Sequence, residues 1–328
     1  MGYITINNSH DFSNGKNGFQ ISPRMQELMV YSGQLDSYEK ANEVIKEFTG
    51  VEVSTTQVYR LTDLYGAEVG KTVNEQPTLA PLKQGEVLYG QADGSMLLTR
   101  EDGWKEVKVE RLFKSSDCIH AGQKKGWISN SQYIAHLGTC KDFTKIMDDL
   151  IESYGSLNRR LIFICDGATW IKNWIADAFP HAISILDYYH ACEHLHAFTS
   201  NFFADKKAEQ PWVKKQKELL LQSGVSEVIA NIKELAGDNR EAQNLIAYYE
   251  GNKERMDYKS YQQMGCGIIG SGAIESAHRT VVQRRMKQSG QRWTAKGAQN
   301  MLNLRVTRKN LQWSKIIQLT KSDFKAAA

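Results

Sequence analysis

The sequence predicts a mixed α/β domain that carries an all-helical insertion and is preceded by a small helical unit. Three observations carry that expectation. Between residues 87 and 187, apolar runs of strand character alternate with helix-period stretches, in the order three strands, helix, strand, helix, strand. Residues 191 to about 260 then show helical spacing with no strand signal. Residues 22–70 read as three short helices with recognisable caps.

Residues 1–20 are polar, rich in Asn, Ser and Gly, and read as a flexible arm. The helical unit is placed at 21–72. Ser22-Pro23 opens a first helix, with Pro in its tolerated first-turn position. Ser37 caps a second helix from Tyr38 to Phe48, closed by Gly50. Ser54, Thr55 and Thr56 cap a third that begins around Gln57. Helices joined by a Gly-containing turn match a helix-turn-helix, which would present Thr55, Thr56, Gln57 and Arg60 to DNA, and they equally match a plain three-helix bundle.

A linker over 73–85, with Pro77, Pro81 and Gly85, leads into the α/β part, placed at 86–313. Val87 to Asp93 reads as a strand ending in Asp93-Gly94, Trp104 to Phe113 as a second, and Ile128 to Leu137 as a third. Lys141 to Tyr154 shows helical spacing. Leu161 to Cys165, followed by Asp166-Gly167, has the continuous apolar character of a buried central strand. A helix around Ile171 to Phe179 ends at Pro180, and Ala182 to Leu186 forms a last strand before Asp187. A trio of antiparallel strands followed by alternating units is the ribonuclease H-like order. The helical insertion is placed at about 197–264, and 314–328 is read as a basic tail.

Composition narrows the function classes. The 328 residues contain no apolar run of about 18, which excludes a membrane-spanning helix. Met1-Gly2-Tyr3-Ile4-Thr5 lacks a charged leader with an apolar core, so a cytoplasmic protein is expected. The 5 cysteines form no CxxC pair, which fits a reducing compartment and argues against a zinc ribbon or a disulfide scaffold. The net charge of +4 is uneven: from Ser276 onward twelve basic residues face one acid, Asp323, for a net +11 against −7 in the remainder. A basic block on an acidic body is an electrostatic footprint for nucleic acid, although charge runs are commonly only solvated faces.

The chemistry concentrates in three carboxylates. Asp93 and Asp166 each follow an apolar strand. Glu275 lies in or just past the first turn of a helix for which Ser271 is a plausible N-cap, with His278 and Arg279 on its face at i+3 and i+4. Three carboxylates with little else form a hard-cation site suited to Mg²⁺ or Mn²⁺. Two such ions about 4 Å apart can activate an attacking hydroxyl and stabilise the leaving oxygen of a phosphodiester. Against this, Asp-Gly after a strand is an ordinary turn signal. Arg279, Arg284, Arg285, Lys287 and Arg292 would neutralise phosphates, and Trp293 would stack on a base or pack. His190 and His194, at i and i+4, share a face as zinc ligands can. Cys192 points elsewhere, so zinc is the minority reading.

Four segments give the resemblance: Gln91-Ala92-Asp93-Gly94; Cys165-Asp166-Gly167-Ala168-Thr169-Trp170; Ile185 to Leu195, containing Asp187-Tyr188-Tyr189-His190; and Gly270 to Ser276, continuing into Arg285 to Trp293. Together they resemble the DDE transposases of bacterial insertion sequences, in particular the ISKra-type family related to the Mutator-like group. The resemblance runs from about Ser22 to Trp313. It implies a ribonuclease H-like fold and an acidic triad of Asp93, Asp166 and Glu275. It further implies Mg²⁺-dependent cleavage and strand transfer on double-stranded DNA at terminal inverted repeats, by a homodimer or larger synaptic assembly. The spacing of 109 from Asp166 to Glu275 leaves room for the implied insertion. Asp187 and His190 match a D-x-x-H signature, with Asp187, His190, His194 and His278 expected to support the site. Relatives carry longer N-terminal regions, so incomplete end recognition is also an expectation. A catalytically silent DNA-binding derivative and a ribonuclease H-like nuclease are the alternative readings.

Overall fold

In a computed structural model, residues 16–120, 126–155 and 160–324 are described. Most of the polar arm therefore lies outside the described residues. Three helices open the described chain: α1 (Pro23–Leu35), α2 (Tyr38–Thr49) and α3 (Thr55–Gly70). Each starts where a serine accepts a backbone N–H: Ser22 from Met25, Ser37 from Lys40, and Ser54 from Gln57, the last as a full capping box. Gly50 ends α2 at φ 69°, a left-handed position that suits glycine.

The sheet has five strands in the order β5-β2-β1-β6-β7. The long pair β1 (Leu88–Thr99) and β2 (Gly103–Lys114) is antiparallel, and β5 (Gln132–Leu137) joins β2 antiparallel. On the other side, β6 (Leu161–Cys165) and β7 (Ile183–Leu186) add in parallel. A two-stranded hairpin, β3 (Cys118–His120) with β4 (Gly126–Ile128), stands apart. One face of the sheet is covered by α4 (Cys140–Glu152) and α5 (Thr169–Ala178), which bury Phe143, Met147, Ile171 and Ile175 on Leu88, Leu112, Ile134 and Phe163.

The other face is covered twice. Helices α6 (Tyr188–Phe202), α7 (Lys206–Leu221), α8 (Val225–Ala236), α9 (Arg240–Asn252) and α10 (Tyr258–Tyr261) share a core with Tyr89, Ile162 and Ile164. Beside them, α11 (Gly272–Ala277) passes through a π-helical stretch, His278–Gln283, into α12 (Arg284–Met286), and α13 (Ala295–Lys309) follows. Ile274, Val281, Met301 and Leu302 from these segments pack on Val107, Val109 and Tyr133.

Four expectations need correction. The first strand does not stop at Asp93-Gly94: Asp93 pairs with Val109 and Gly94 with Lys108, and the ladder continues to Thr99 opposite Gly103. The ladder alone keeps Gly94 in the strand, beside the Glu106 carboxylate, whose Oε1 would lie 2.1 Å from an added Cβ. The turn comes instead at Asp102-Gly103, where Gly103 takes φ 68°. The single third strand predicted over 128–137 is split between β4 and β5. Residues 314–321 are not a tail: α14 (Ser314–Lys321) buries Ile316, together with Leu304 of α13, in the core of α1–α3. Finally, Ser271 occupies the N-cap position but makes no capping bond. Its hydroxyl donates to Asp187 Oδ2.

Candidate functional site

The parallel register of β1 and β6 organises the acidic centre. The ladder pairs Tyr89 with Ile162 and Gly90 with Phe163. Three residues beyond that last pair come Asp93, still on β1, and Asp166, one residue past the end of β6; continued alternation from the same register would put both on one face. Asp93 Oδ1 accepts the Gly94 N–H at 2.6 Å, and Asp166 Oδ1 accepts the Ala168 N–H at 2.9 Å. The second oxygen of each carboxylate carries no hydrogen bond. Burial raises the Asp93 carboxyl above its usual range. The charges of Asp166 and Glu106 add to that rise, against the opposing pull of His278 and the Gly94 N–H.

His278 approaches from the π-helical stretch. Its Nδ1 lies 3.1 Å from Ser95 Oγ, and its Nε2 lies 3.7 Å from Asp93 Oδ2, with the imidazole side chain only 4% exposed and the Asp93 side chain 43% exposed. Nε2 is buried without a hydrogen-bond partner. Burial lowers this imidazole, so it is neutral at pH 7 despite the neighbouring Asp93. Lys287 is also near: burial lowers its ammonium and Asp93 opposes that shift. Glu275 stands exposed one turn before His278. Among the described residues, no group of three or more His, Cys, Asp or Glu side chains is close enough to share an ion. Asp166 lies near enough to Asp93 for its charge to act on that carboxyl, while Glu275 stands exposed on the neighbouring helix.

Side chains that the sequence did not single out hold this centre. Fully buried Gln91, on β1, donates from Nε2 to Gly270 O (3.1 Å) and accepts the Ile274 N–H on Oε1 (3.0 Å), which fixes the start of α11 over the sheet. Arg255 reaches in from the end of the helical region. Its Nη2 meets Cys165 O, Asp166 O and Ile185 O at 3.3–3.4 Å, tying together the carboxyl ends of β6 and β7. Gln91 sits inside a quoted motif, whereas nothing in the sequence marks Arg255. Cys118 and Cys266, 148 positions apart, bring their Sγ atoms to 2.9 Å as free thiols.

Asp187 acts as a structural hinge-point for the expected supporting set. Buried, it accepts the Tyr189 N–H at 2.8 Å to cap α6 and takes the Ser271 hydroxyl on its other oxygen. His190 and His194 face each other, Nε2 to Nε2 at 3.2 Å, and the His194 ring lies 4.2 Å from that of Tyr248. Tyr248 in turn packs against Gly167, beside Asp166. Cys192 points into the core.

The cations predicted to meet DNA divide into two groups. Arg279, Arg284, Lys287 and Arg292 are exposed, as are Thr55, Thr56, Gln57 and Arg60 at the start of α3, where Gln57 is partly engaged in the capping box. Arg285 belongs elsewhere. It is 1% exposed, donates to Gly33 O at 2.9 Å, and lies between the Tyr38 and Trp293 rings at 4.8 and 5.0 Å. Trp293 is likewise buried and donates to Met286 O at 3.0 Å. These two side chains dock α1 and α2 onto the Glu275 helix, a structural use that excludes the expected contact with phosphate or base.

With this geometry in place, comparison with known proteins adds a family. The chain belongs to an uncharacterised protein family, UPF0236, whose profile matches residues 17–321. A relative from Streptococcus gallolyticus, described as a UPF0236 protein in the vanSb 3′ region, is 24% identical over 309 residues. That alignment covers 89% of this chain and 64% of the relative, so the chain spans a little under two thirds of the relative's length. Among the described residues, no helix is long and apolar enough to cross a membrane.

Proposed function

We propose that this chain is a metal-dependent DNA transposase with a ribonuclease H-like catalytic fold, cleaving and joining phosphodiesters at the ends of a mobile element. The observation that carries the reading is the pair Asp93, on β1, and Asp166, at the carboxyl end of the neighbouring parallel strand β6, near enough for one charge to act on the other. The sheet order, two antiparallel additions on one side of β1 and two parallel ones on the other, supports the fold.

The residues fit a hard divalent cation. The donors are oxygens, and Asp93, raised chiefly by burial and further by the charges of Asp166 and Glu106, is a carboxylate whose charge a cation offsets. Mg²⁺ or Mn²⁺, when bound, supplies activation of the attacking hydroxyl and charge stabilisation of the leaving oxygen. Asp93 and Asp166 bind it, and Glu275, exposed on the neighbouring helix, is assigned to complete the set. The neutral imidazole of His278 packs beneath Asp93 and limits the directions its carboxylate can take. Arg279 and Lys287, exposed at the rim, neutralise phosphate, and the start of α3 provides a second DNA contact in the manner of a helix-turn-helix. Joining two element ends calls for at least two copies of the chain.

One observation favours a second reading, a catalytically silent DNA-binding derivative: among the described residues, no three His, Cys, Asp or Glu side chains are grouped as a metal site. A labelled duplex carrying the flanking inverted repeats, incubated with Mg²⁺ or Mn²⁺ and with EDTA, separates the two. The expected result is metal-dependent nicking at the repeat boundary and joined products, both lost in Asp93→Asn and Asp166→Asn while binding persists. Cleavage retained in both variants overturns the assignment. Binding without any cut supports the silent derivative, and cutting without joined products supports a nuclease.

A further inference from the structure

On the other flank of the Glu275 helix lies a cavity of about 730 Å³, bordered by β5, the end of α13 and the π-helical stretch. Two residues beyond His278, which meets Asp93, Thr280 faces this cavity instead. Five cations line it: Arg111, Arg284, Arg305, Arg308 and Lys309. None of its lining residues is acidic, and among the described residues none of the five forms an ion pair.

Two of them are committed to the fold. Arg305 donates to Gln34 O (2.7 Å), Val281 O (3.2 Å) and Thr280 O, and Arg111 to Ser131 Oγ (2.9 Å) and Ala273 O (3.1 Å). The other three have free heads. Arg308 rests over the Tyr31 ring at 5.1 Å and Lys309 over the Tyr133 ring at 5.4 Å, while Arg284 is exposed. Burial lowers Lys309, and the four neighbouring arginines push it further in the same direction. A concentration of like charge without counter-ions opposes folding, and it is relieved when an anion enters.

The cavity is of the size that receives a ligand of many atoms rather than one phosphate group. Its rim carries a second anomaly. Leu311 is 84% exposed and takes φ 58°, a left-handed conformation unfavourable for leucine. An exposed apolar side chain held in a strained backbone beside a cationic cavity suits contact with a base, as apolar wedges make in DNA.

We propose that this cavity seats a DNA strand, with Arg284, Arg308 and Lys309 on consecutive phosphates and Leu311 against a base. The inference rests on the DNA-acting reading above and adds to it a strand-binding site on the flank of the helix away from the aspartate pair.

The test is binding of a fluorescent oligonucleotide, single-stranded and duplex, across a salt series, with the full chain in EDTA. In Arg308→Gln/Lys309→Gln the slope of log affinity against log salt should fall by about 1.4 to 1.8, one counter-ion term for each lost phosphate contact. Leu311→Gly should leave that slope unchanged, weaken binding about ten-fold, and reduce the fluorescence of a 2-aminopurine placed at the contacted base. Lys46→Gln, an exposed change on α2, is the control, and thermal melts establish that each variant is folded. DNA binding with an unchanged slope in the double variant overturns the cavity alone. No DNA binding by the wild type overturns the DNA-acting reading along with it. Competition by ATP or pyrophosphate as strong as that by the oligonucleotide overturns the strand in favour of a free nucleotide.

Discussion

Thermal melting of Asp93→Asn, with and without divalent cation, separates a metal centre from a structural acid pair. Without metal, burial raises the Asp93 carboxyl, and the charges of Asp166 and Glu106 add to the rise. A raised carboxyl binds more protons in the folded state. Its favourable contribution is therefore complete below the unfolded value, about 3.9, and is lost as pH climbs through the folded value. Asparagine removes that loss. The side chain is 43% exposed, so solvent screening keeps the gain below about 1 kcal/mol, an increase of at most ~2 °C for a chain of this length. With metal the sign reverses. An ion at one hundred times its dissociation constant stabilises the wild type by about 2.7 kcal/mol, or roughly 5 °C, and the variant should lose most of that. Calorimetry in EDTA, Ca²⁺ and Mn²⁺ reads both effects, with Asp166→Asn expected to behave alike and Glu275→Gln to lose part of the metal shift. An undiminished metal-induced rise in Asp93→Asn would show that the ion binds elsewhere, and the assignment would fall.

Two further predictions concern the frame around the site. Glu110, opposite Ala92 on the α4–α5 side of the sheet, is fully buried with neither carboxyl oxygen hydrogen-bonded, and burial raises its carboxyl well above the usual range, with Asp148 adding to it. Glu110→Leu should stabilise the chain by about 1–3 kcal/mol at neutral pH. Wild-type stability should fall by ~1.4 kcal/mol per pH unit above the unfolded carboxyl value and that of the variant should not; parallel pH profiles in urea unfolding would refute this. Arg285→Ala, which removes the Gly33 bond and the stacking on Tyr38 and Trp293, should cost about 3–5 kcal/mol, against about 0.5 kcal/mol or less for exposed Arg284→Ala. Equal costs in the same assay would contradict the division of the two arginines.

How much of this was legible depended on whether a signal was local. Ser22, Ser37, Ser54 and Gly50 set helix ends through bonds to neighbours a few residues away, and the structure uses them all. The strand and helix order between 87 and 187 followed from apolar periodicity for the same reason. Asp93-Gly94 misled because the turn chemistry of Asp-Gly is the same whether or not a partner strand continues past it. Pairing with β2 decided the matter, and a second Asp-Gly, at 102–103, made the turn. Arg285 and Arg284 are adjacent and chemically identical, and only the docking of α1 and α2 buries one of them. Gln91 and Arg255 act over 179 and 70–90 positions respectively, a range that no periodicity reports.

The helix with the most sequence signal is also where uniform helical spacing fails. On an unbroken α-helix, Glu275, His278 and Arg279 would share one face. In the structure Glu275 and Arg279 are exposed while His278 is buried against Asp93, because the backbone widens into a π-helical stretch from His278 to Gln283. Such wide turns insert a residue into the helical register, and they recur at functional sites. Here one short segment does two things. It lays a neutral imidazole under the aspartate pair, and two residues later it turns Thr280, and then Arg284, toward the cationic cavity on the opposite flank. Residues two apart on a helix point to nearly opposite sides, so the acidic and the cationic surfaces stay separate and neither weakens the other's hold on its ligand.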